Sequence, residues 1–343
     1  MTAGGWLSLA RIPIAPNARS GTPIGLALVA LIAAGTGALA AEPVALAVTR
    51  HPLEAERPFE TRVGRLEHRG TIEIKGRHAG FGGFSALRIG ADGAQFLALG
   101  DNGLWMSGTF DIDARGWLRG ASATRIGRLA GLDGTALATK IDRDAEAMAL
   151  LADGSLLVAF EVRHRLWRYP PGIDPLAGRP VPFPSPAGLD RSPANMGIEA
   201  LAALPDGRIL ALTEGLMASD DTLQGWLWQD EQWQSIRYRR HGDYRPTDAA
   251  ALPGGGVVVV ERRFAALTGL GIRIVRIDAP DLAPGAVIEP VELARLLPPQ
   301  VIDNFEGIDA RRGANGATLL YLIADDNFSP LQRTLVALFA LID

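Results

Sequence analysis

The stretch Asp303-Asn304-Phe305-Glu306-Gly307-Ile308-Asp309, read with the strand that follows it and ends at Ala324-Asp325-Asp326-Asn327-Phe328, sets the pattern of the whole chain. An acidic residue opens a short strand, a turn follows around Gly313-Ala314-Asn315-Gly316, and a long apolar strand ends in carboxylates. Looser copies of this unit recur upstream. The first runs Phe84-Ser85-Ala86-Leu87-Arg88-Ile89, turns at Asp92-Gly93 and continues as Phe96-Leu97-Ala98-Leu99-Gly100-Asp101-Asn102. The second pairs Ala145–Leu150 with Leu156–Glu161 across Asp153-Gly154. The third pairs Gly197–Leu201 with Ile209–Glu214 across Asp206-Gly207. The fourth pairs Pro246–Ala250 with Val257–Glu261 across Pro253-Gly254-Gly255-Gly256.

A third, amphipathic or aromatic strand follows each pair, as in Leu104-Trp105-Met106, Arg165–Tyr169, Gly225–Trp228, Ile272–Ile277 and Thr334–Leu338. A more polar fourth strand is expected near Ser122–Ile126, Val181–Phe183, Gln234–Arg239 and Ala286–Glu289. Four antiparallel strands recurring at roughly fifty to sixty residues describe the blades of a β-propeller. The second strands are nearly continuous apolar runs, as a strand covered on both faces requires. The fold class is therefore all-β, a propeller of five four-stranded blades, with room for a sixth in 112–143. The last copy has no space for a fourth strand before Asp343. Gly64–Ile74 has no blade of its own, so it is expected to pair onto the last blade and close the ring. The tryptophans at 105, 167, 226 and 228 should pack between blades.

The chain has 343 residues with 40 Gly and 23 Pro, which suits many short strands and turns. A formal net charge of -4 argues against nucleic acid as a partner. Cysteine is absent, which excludes disulfides, thiolate metal sites and a Cys nucleophile. Near the N-terminus an apolar run from Ile24 precedes Ala38-Leu39-Ala40, small residues at signal-cleavage spacing. The reading is a signal peptide over 1–40, a linker over 41–61 and the propeller domain over 62–343. It places the protein in the periplasm or outside the cell, with no stable membrane insertion once the signal is removed. The alternative is an uncleaved anchor, since the uncharged run 21–41 just reaches bilayer length.

Acidic residues recur at the start of the first strand (Glu146, Glu199, Asp248, Glu306) and at the end of the second (Asp101, Glu161, Glu214, Glu261, Asp325, Asp326). In a propeller both positions surround one mouth of the central channel. Basic residues accompany them: Arg88, Arg163, His164, Arg262, Arg263, Arg311 and Arg245. Carboxylates interspersed with guanidiniums suit an oxygen-ligated cation, foremost Ca²⁺, together with a phosphate or carboxylate clamp. Such carboxylates also serve as acceptors for a neighbouring blade's N–H groups, with no ligand involved. The sequence offers no G-x-S-x-G elbow around Ser85, no histidine pair at zinc spacing and no phosphate loop.

The run Phe81-Gly82-Gly83-Phe84-Ser85-Ala86-Leu87, the run Leu99-Gly100-Asp101-Asn102-Gly103-Leu104-Trp105, the Glu-led strands and Asp325-Asp326-Asn327-Phe328 together resemble the phytase-like family, also called "esterase-like activity of phytase". That pattern has Gly-Gly-x-Ser-Gly-Leu and Ser-Asp-Arg-Gly. Ala86, Gly100 and Asn102 depart from it here, and Asn102 removes a guanidinium. The resemblance implies a secreted propeller hydrolase acting on phosphate or carboxylic esters. The acidic positions repeated at one end of the blades give the site expectation: a cation held by Asp101, Glu146, Glu161, Glu214, Asp248, Glu261, Asp325 and Asp326 assists Glu199, Glu306, Arg163, Arg262, Arg263 and His164. The alternative is a periplasmic binding or scaffold propeller without catalysis, because this fold hosts unrelated functions.

Overall fold

The computed structural model describes residues 39–265 and 269–342. The leader expected over 1–40 falls, but for its last two residues, outside them. Strands dominate, gathered in five sheets. From the channel outward, blade 1 is Phe84–Ile89, Gln95–Gly100, Leu104–Ile112 and Leu118–Arg128. Blade 2 is Ala145–Leu150, Leu156–Phe160, Arg165–Tyr169 and Val181–Phe183. Blade 3 is Ile198–Ala203, Ile209–Ser219, Thr222–Gln229 and Gln232–Arg239. Blade 4 is Arg245–Ala251, Val257–Ala265, Gly269–Ile277 and Val291–Leu296. Blade 5 is Asn304–Arg312, Thr318–Asp325, Leu335–Leu341 and, from the other end of the chain, Leu66–Gly76.

That last pairing closes the ring. Leu335–Leu341 runs antiparallel to Leu66–Gly76, matching Leu341 to Leu66 and Leu335 to Glu73. The region 112–143 holds no sixth blade. It supplies the outer strand of blade 1 and a one-turn helix, Lys140–Arg143. Two other expectations are corrected. Residues 41–61 are more than a linker, because Glu42–Pro43 pairs with the outer strand of blade 1 and Leu46–His51 with Leu66–Gly76. The expected strand at Ala286–Glu289 shrinks to Val287–Ile288 and lies parallel on blade 3, not in blade 4. Pro290 explains the split, since it cannot donate to a ladder and ends the first strand before Val291 begins the second.

The core is divided into wedges between neighbouring blades. In the second strand of blade 4, Val257 and Val259 pack toward blade 3, while Val258 and Val260 pack toward blade 5. In blade 2, Leu156 and Val158 face blade 1, and Leu157 and Ala159 face blade 3. Both sides of each second strand are buried, which is why these strands read as unbroken apolar runs. Trp105, Trp167, Trp226 and Trp228 fill the same wedges.

The channel is plugged partway down. Arg88, buried, donates to both carboxylate oxygens of Asp248 at 2.9 and 3.1 Å and to the carbonyls of Ile308, Leu201 and Ala249. Asp248 also accepts from the Ile308 amide at 2.9 Å. Every face of this ion pair is satisfied, so the channel is blocked at this level.

Candidate active site at the channel mouth

The innermost strand of every blade carries a β-bulge at the same level. The register slips between Phe84 and Ala86, Ala145 and Ala147, Ile198 and Ala200, Pro246 and Asp248, and Phe305 and Gly307. The bulged residues are Ser85, Glu146, Glu199, Thr247 and Glu306. A bulge leaves one residue outside the ladder and re-aims its side chain. Five of them set an inner ring of three glutamates and two hydroxyls. An outer ring follows from the next residues along the second strands: Asp101, Glu161, Glu214, Arg262 and Asp325. The amides of Asp101, Glu161 and Glu214 bond back to Gly83, Asp144 and Gly197, just before the first strands.

These groups meet across the axis. Burial, followed by the charges of Glu306 and Glu161, drives Glu146 well above the usual carboxylate range. Burial and then Glu161, Glu146 and Glu214 do the same to Glu199. Burial and Glu306 lift Asp325 to about 8. Glu306 and Asp101 are raised mainly by burial, against the pull of Arg262 and Lys140 respectively. Glu161, raised to about 7 chiefly by burial, shares a side-chain hydrogen bond with Glu199. It also accepts the Gly197 amide through Oε1. Two carboxyl groups can bond in this way only while one holds a proton. Burial and the surrounding carboxylates favour the neutral form of Glu199.

Two cations reach these seven carboxylates among the described ion pairs. Arg262 bonds Glu306 at 2.8 Å and Glu214 at 3.2 Å, and also Asn304. Lys140 bonds Asp101 at 3.0 Å and Asp144 at 3.2 Å. Lys140 is delivered by the one-turn helix, which Thr139 starts by accepting the Asp142 amide while its hydroxyl donates to Asp142. Asp101 Oδ1 is buried and has no hydrogen-bond partner. Even so, no three His, Cys, Asp or Glu side chains among the described residues converge closely enough to form a ready-made metal cage.

Several residues expected at the mouth lie elsewhere. Asp248 is one residue past the bulge and belongs to the channel plug with Arg88. Glu261 is one residue short of the outer ring. It is buried beside blade 3, where it accepts from Tyr238 at 2.7 Å and pairs with Arg273 at 2.5 Å. Blade 4 presents Thr247 and Arg262 in their places. Arg263 points to the other face of its strand and stacks 5.3 Å from the Tyr244 ring. Arg311 sits at the far end of the channel and bonds Asp309 and the Ile89 carbonyl. Arg163 reaches outward to Asp142. Arg245 is at the mouth end of its strand and donates to the Glu214 carbonyl. His164 sits beside Glu161 and faces the carbonyls of Ser192 and Pro193 through Nε2, both at 3.2 Å.

Asp326 is a brace. Its Oδ1 accepts the amides of Gly83 at 3.2 Å and Phe328 at 3.1 Å, and its Oδ2 accepts from Thr334 at 2.9 Å. Segments about 240 residues apart in sequence, Gly82-Gly83 and Asp325–Phe328, are thus packed together at the rim. A Cβ on Gly82 would strike Asp326, and one on Gly83 would strike Asp101 and Phe328. Thr247, Lys140 and Asp144 had escaped the sequence reading, and Ser85 had been weighed there only as a nucleophile and set aside. The Thr139-Lys140-Ile141-Asp142 cap was the visible signal for Lys140, whereas the bulges left none.

Fold and mouth define a five-bladed propeller with an acid-ringed channel mouth. The chain belongs to the phytase-like family, described as "Esterase-like activity of phytase", which matches residues 79–328. The matched span opens just before Gly82-Gly83 and closes on Phe328, the two segments that pack together. No curated protein matches. Solved structures similar to this chain include a protein provisionally named a gluconolactonase, 12% identical with a TM-score of 0.39, where 86% of this chain covers 100% of that one. A protein of unknown function from Dyadobacter fermentans, also 12% identical, has a TM-score of 0.43 over 86% of this chain and 91% of its own. Another of unknown function, from Bacteroides caccae, is 12% identical with a TM-score of 0.31 over 68% and 64%.

Proposed function

We propose that the mouth is the active site of an ester hydrolase, and that the hydrogen-bonded pair Glu161–Glu199 is its acid–base machinery. The observation that carries this reading is the crowding of buried carboxyls set by the bulges, which raises Glu199 and its neighbour Glu161 above the usual carboxylate range. Paired carboxyls in such settings supply the acid and base of many hydrolases. Glu199 holds a proton to give to a leaving oxygen. Glu161, fixed by the Gly197 amide, is the partner that can take one up from water. Arg262 and Lys140 are placed to meet negative charge as it develops.

Substrate charge decides how the site must work. A phosphate monoester is an anion and would enter a mouth ringed by seven carboxylates. That is unfavourable unless further positive charge comes with it. The donor set fits a hard cation, because all ring ligands are oxygens and Asp101 Oδ1 lacks a partner. No three of these carboxylates converge as they stand, so Ca²⁺ would bind at Asp101 only if neighbouring ring carboxylates moved toward it, and would then lend its charge to a phosphoryl oxygen. A neutral carboxylic ester needs no such help.

The test is turnover of p-nitrophenyl acetate and p-nitrophenyl phosphate by the protein, with calcium and then with a chelator. The expected result is acetate turnover in both conditions and phosphate turnover with calcium only. A folded protein that turned over neither ester in either condition would assign the mouth to binding.

A further inference from the structure

Phe328 is out of place for an aromatic side chain. It is 51% exposed at the rim of the mouth, and Leu331 on the same loop is 91% exposed. Its backbone is held left-handed, with φ of +51° following +47° at Asn327. Consecutive left-handed residues other than glycine are costly, and such strain gathers at ligand sites. Here it is enforced by two ring or brace carboxylates: Asp325 Oδ1 takes the Asn327 amide at 2.7 Å, and Asp326 Oδ1 takes the Phe328 amide at 3.1 Å. The loop is tied down again by Thr334 on Asp326. The result is a ring laid on bare Gly83, beside the unpartnered Asp101 oxygen. Gly83 has a φ of +68° and no room for a Cβ, so backbone and side chain both yield space to this ring.

An exposed aromatic ring held beside carboxyl oxygens makes a two-sided recognition surface. The carboxylates can address the polar end of a ligand and the ring its apolar end. We infer that Phe328 is the apolar wall of the substrate site and selects esters carrying an aromatic group. This inference rests on the ester-hydrolase reading, so its test begins with a measurement that needs no turnover. Fluorescence titration with 2-naphthol compares the full chain with F328A and F328L, after thermal melts have shown that all three are folded.

Weakening of naphthol binding by about tenfold in F328A, with partial return in F328L, is the expected result. Unchanged binding in F328A overturns the inference, whatever the enzyme does. Kinetics then adds a double ratio, kcat/KM for phenyl butyrate over methyl butyrate, wild type over F328A. It is expected to be about ten and to act through KM, because the apolar group binds alike in ground and transition states. A double ratio of one overturns the inference. Naphthol binding that falls in F328A while the wild type hydrolyses neither ester would keep the aromatic subsite and sink the hydrolase reading.

Discussion

Glu199 and Glu261 are both buried strand glutamates, and the structure gives them opposite surroundings. Glu261 is fully compensated by Tyr238 and Arg273. Glu199 is crowded by Glu161, Glu146 and Glu214 and has no cation of its own among its main influences. Removing one partner of a buried, satisfied ion pair costs about 3–5 kcal/mol, whereas removing one member of a like-charged crowd relieves strain. E261Q is therefore expected to lose roughly 3 kcal/mol of stability in chemical denaturation while its kcat stays near wild type. E199Q is expected to keep or gain stability and to lose at least about a hundredfold in kcat, the usual worth of an acid–base group. If E199Q kept its kcat, the acid–base pair would be wrong. If E261Q lost its kcat in proportion, the separation of roles would be.

The bulge is the element that sequence reading could not see. The repeat, the hairpin turns, the closing strand and the acidic mouth were all legible, since apolar runs, Asp-Gly turns and Glu-led strands are patterns in composition. Register is not such a pattern. Blade 4 has the same count and the same bulge as blade 3, so Thr247 takes the level of Glu199, while Asp248 and Glu261 take the levels of Ala200 and Thr213. Counting both strands from the hairpin turn shows which residues are level, though not that a bulge re-aims one of them. Val257 pairs with Ala251 as Ile209 pairs with Ala203, which puts Arg262, not Glu261, level with Glu214. The rim loop has its own dependence on an element far away in sequence. G83A would force a Cβ onto a left-handed residue and into Asp101 and Phe328. It should cost about 1–2 kcal/mol in stability and displace the ring of Phe328. Its binding of 2-naphthol should then fall as in F328A. A G83A protein with wild-type binding would mean that the loop does not lean on Gly83.

For the molecule as a whole, the acidic mouth makes stability depend on pH in a direction opposite to most proteins. Asp325 and Glu161 have folded pKa values of about 8 and about 7, both above the ordinary carboxylate range. The folded state thus keeps protons that the unfolded chain has already released, so stability falls as pH rises toward 8. His68 opposes this at the acid end. Burial lowers it to about 4, so the unfolded chain binds its proton first and stability falls as pH drops from about 6.5 to 4. The two effects overlap below pH 6.5, and above it His68 has no part in the balance. The melting temperature is therefore expected to decline between pH 6.5 and 8.5. Each unit over which a carboxyl stays protonated is worth about 1.4 kcal/mol, so the decline should amount to a few degrees. D325N should flatten the decline, because its amide carries no charge to be released. Calcium should raise the melting temperature more at pH 8.5 than at pH 6, since it competes with protons for the same oxygens. A flat profile in the wild type, or an unchanged slope in D325N, would show that the ring carboxylates are already neutralised in solution by something other than protons. Calcium without effect at either pH would leave phosphate esters with no means of entering this mouth, and carboxylic esters as the substrates to pursue.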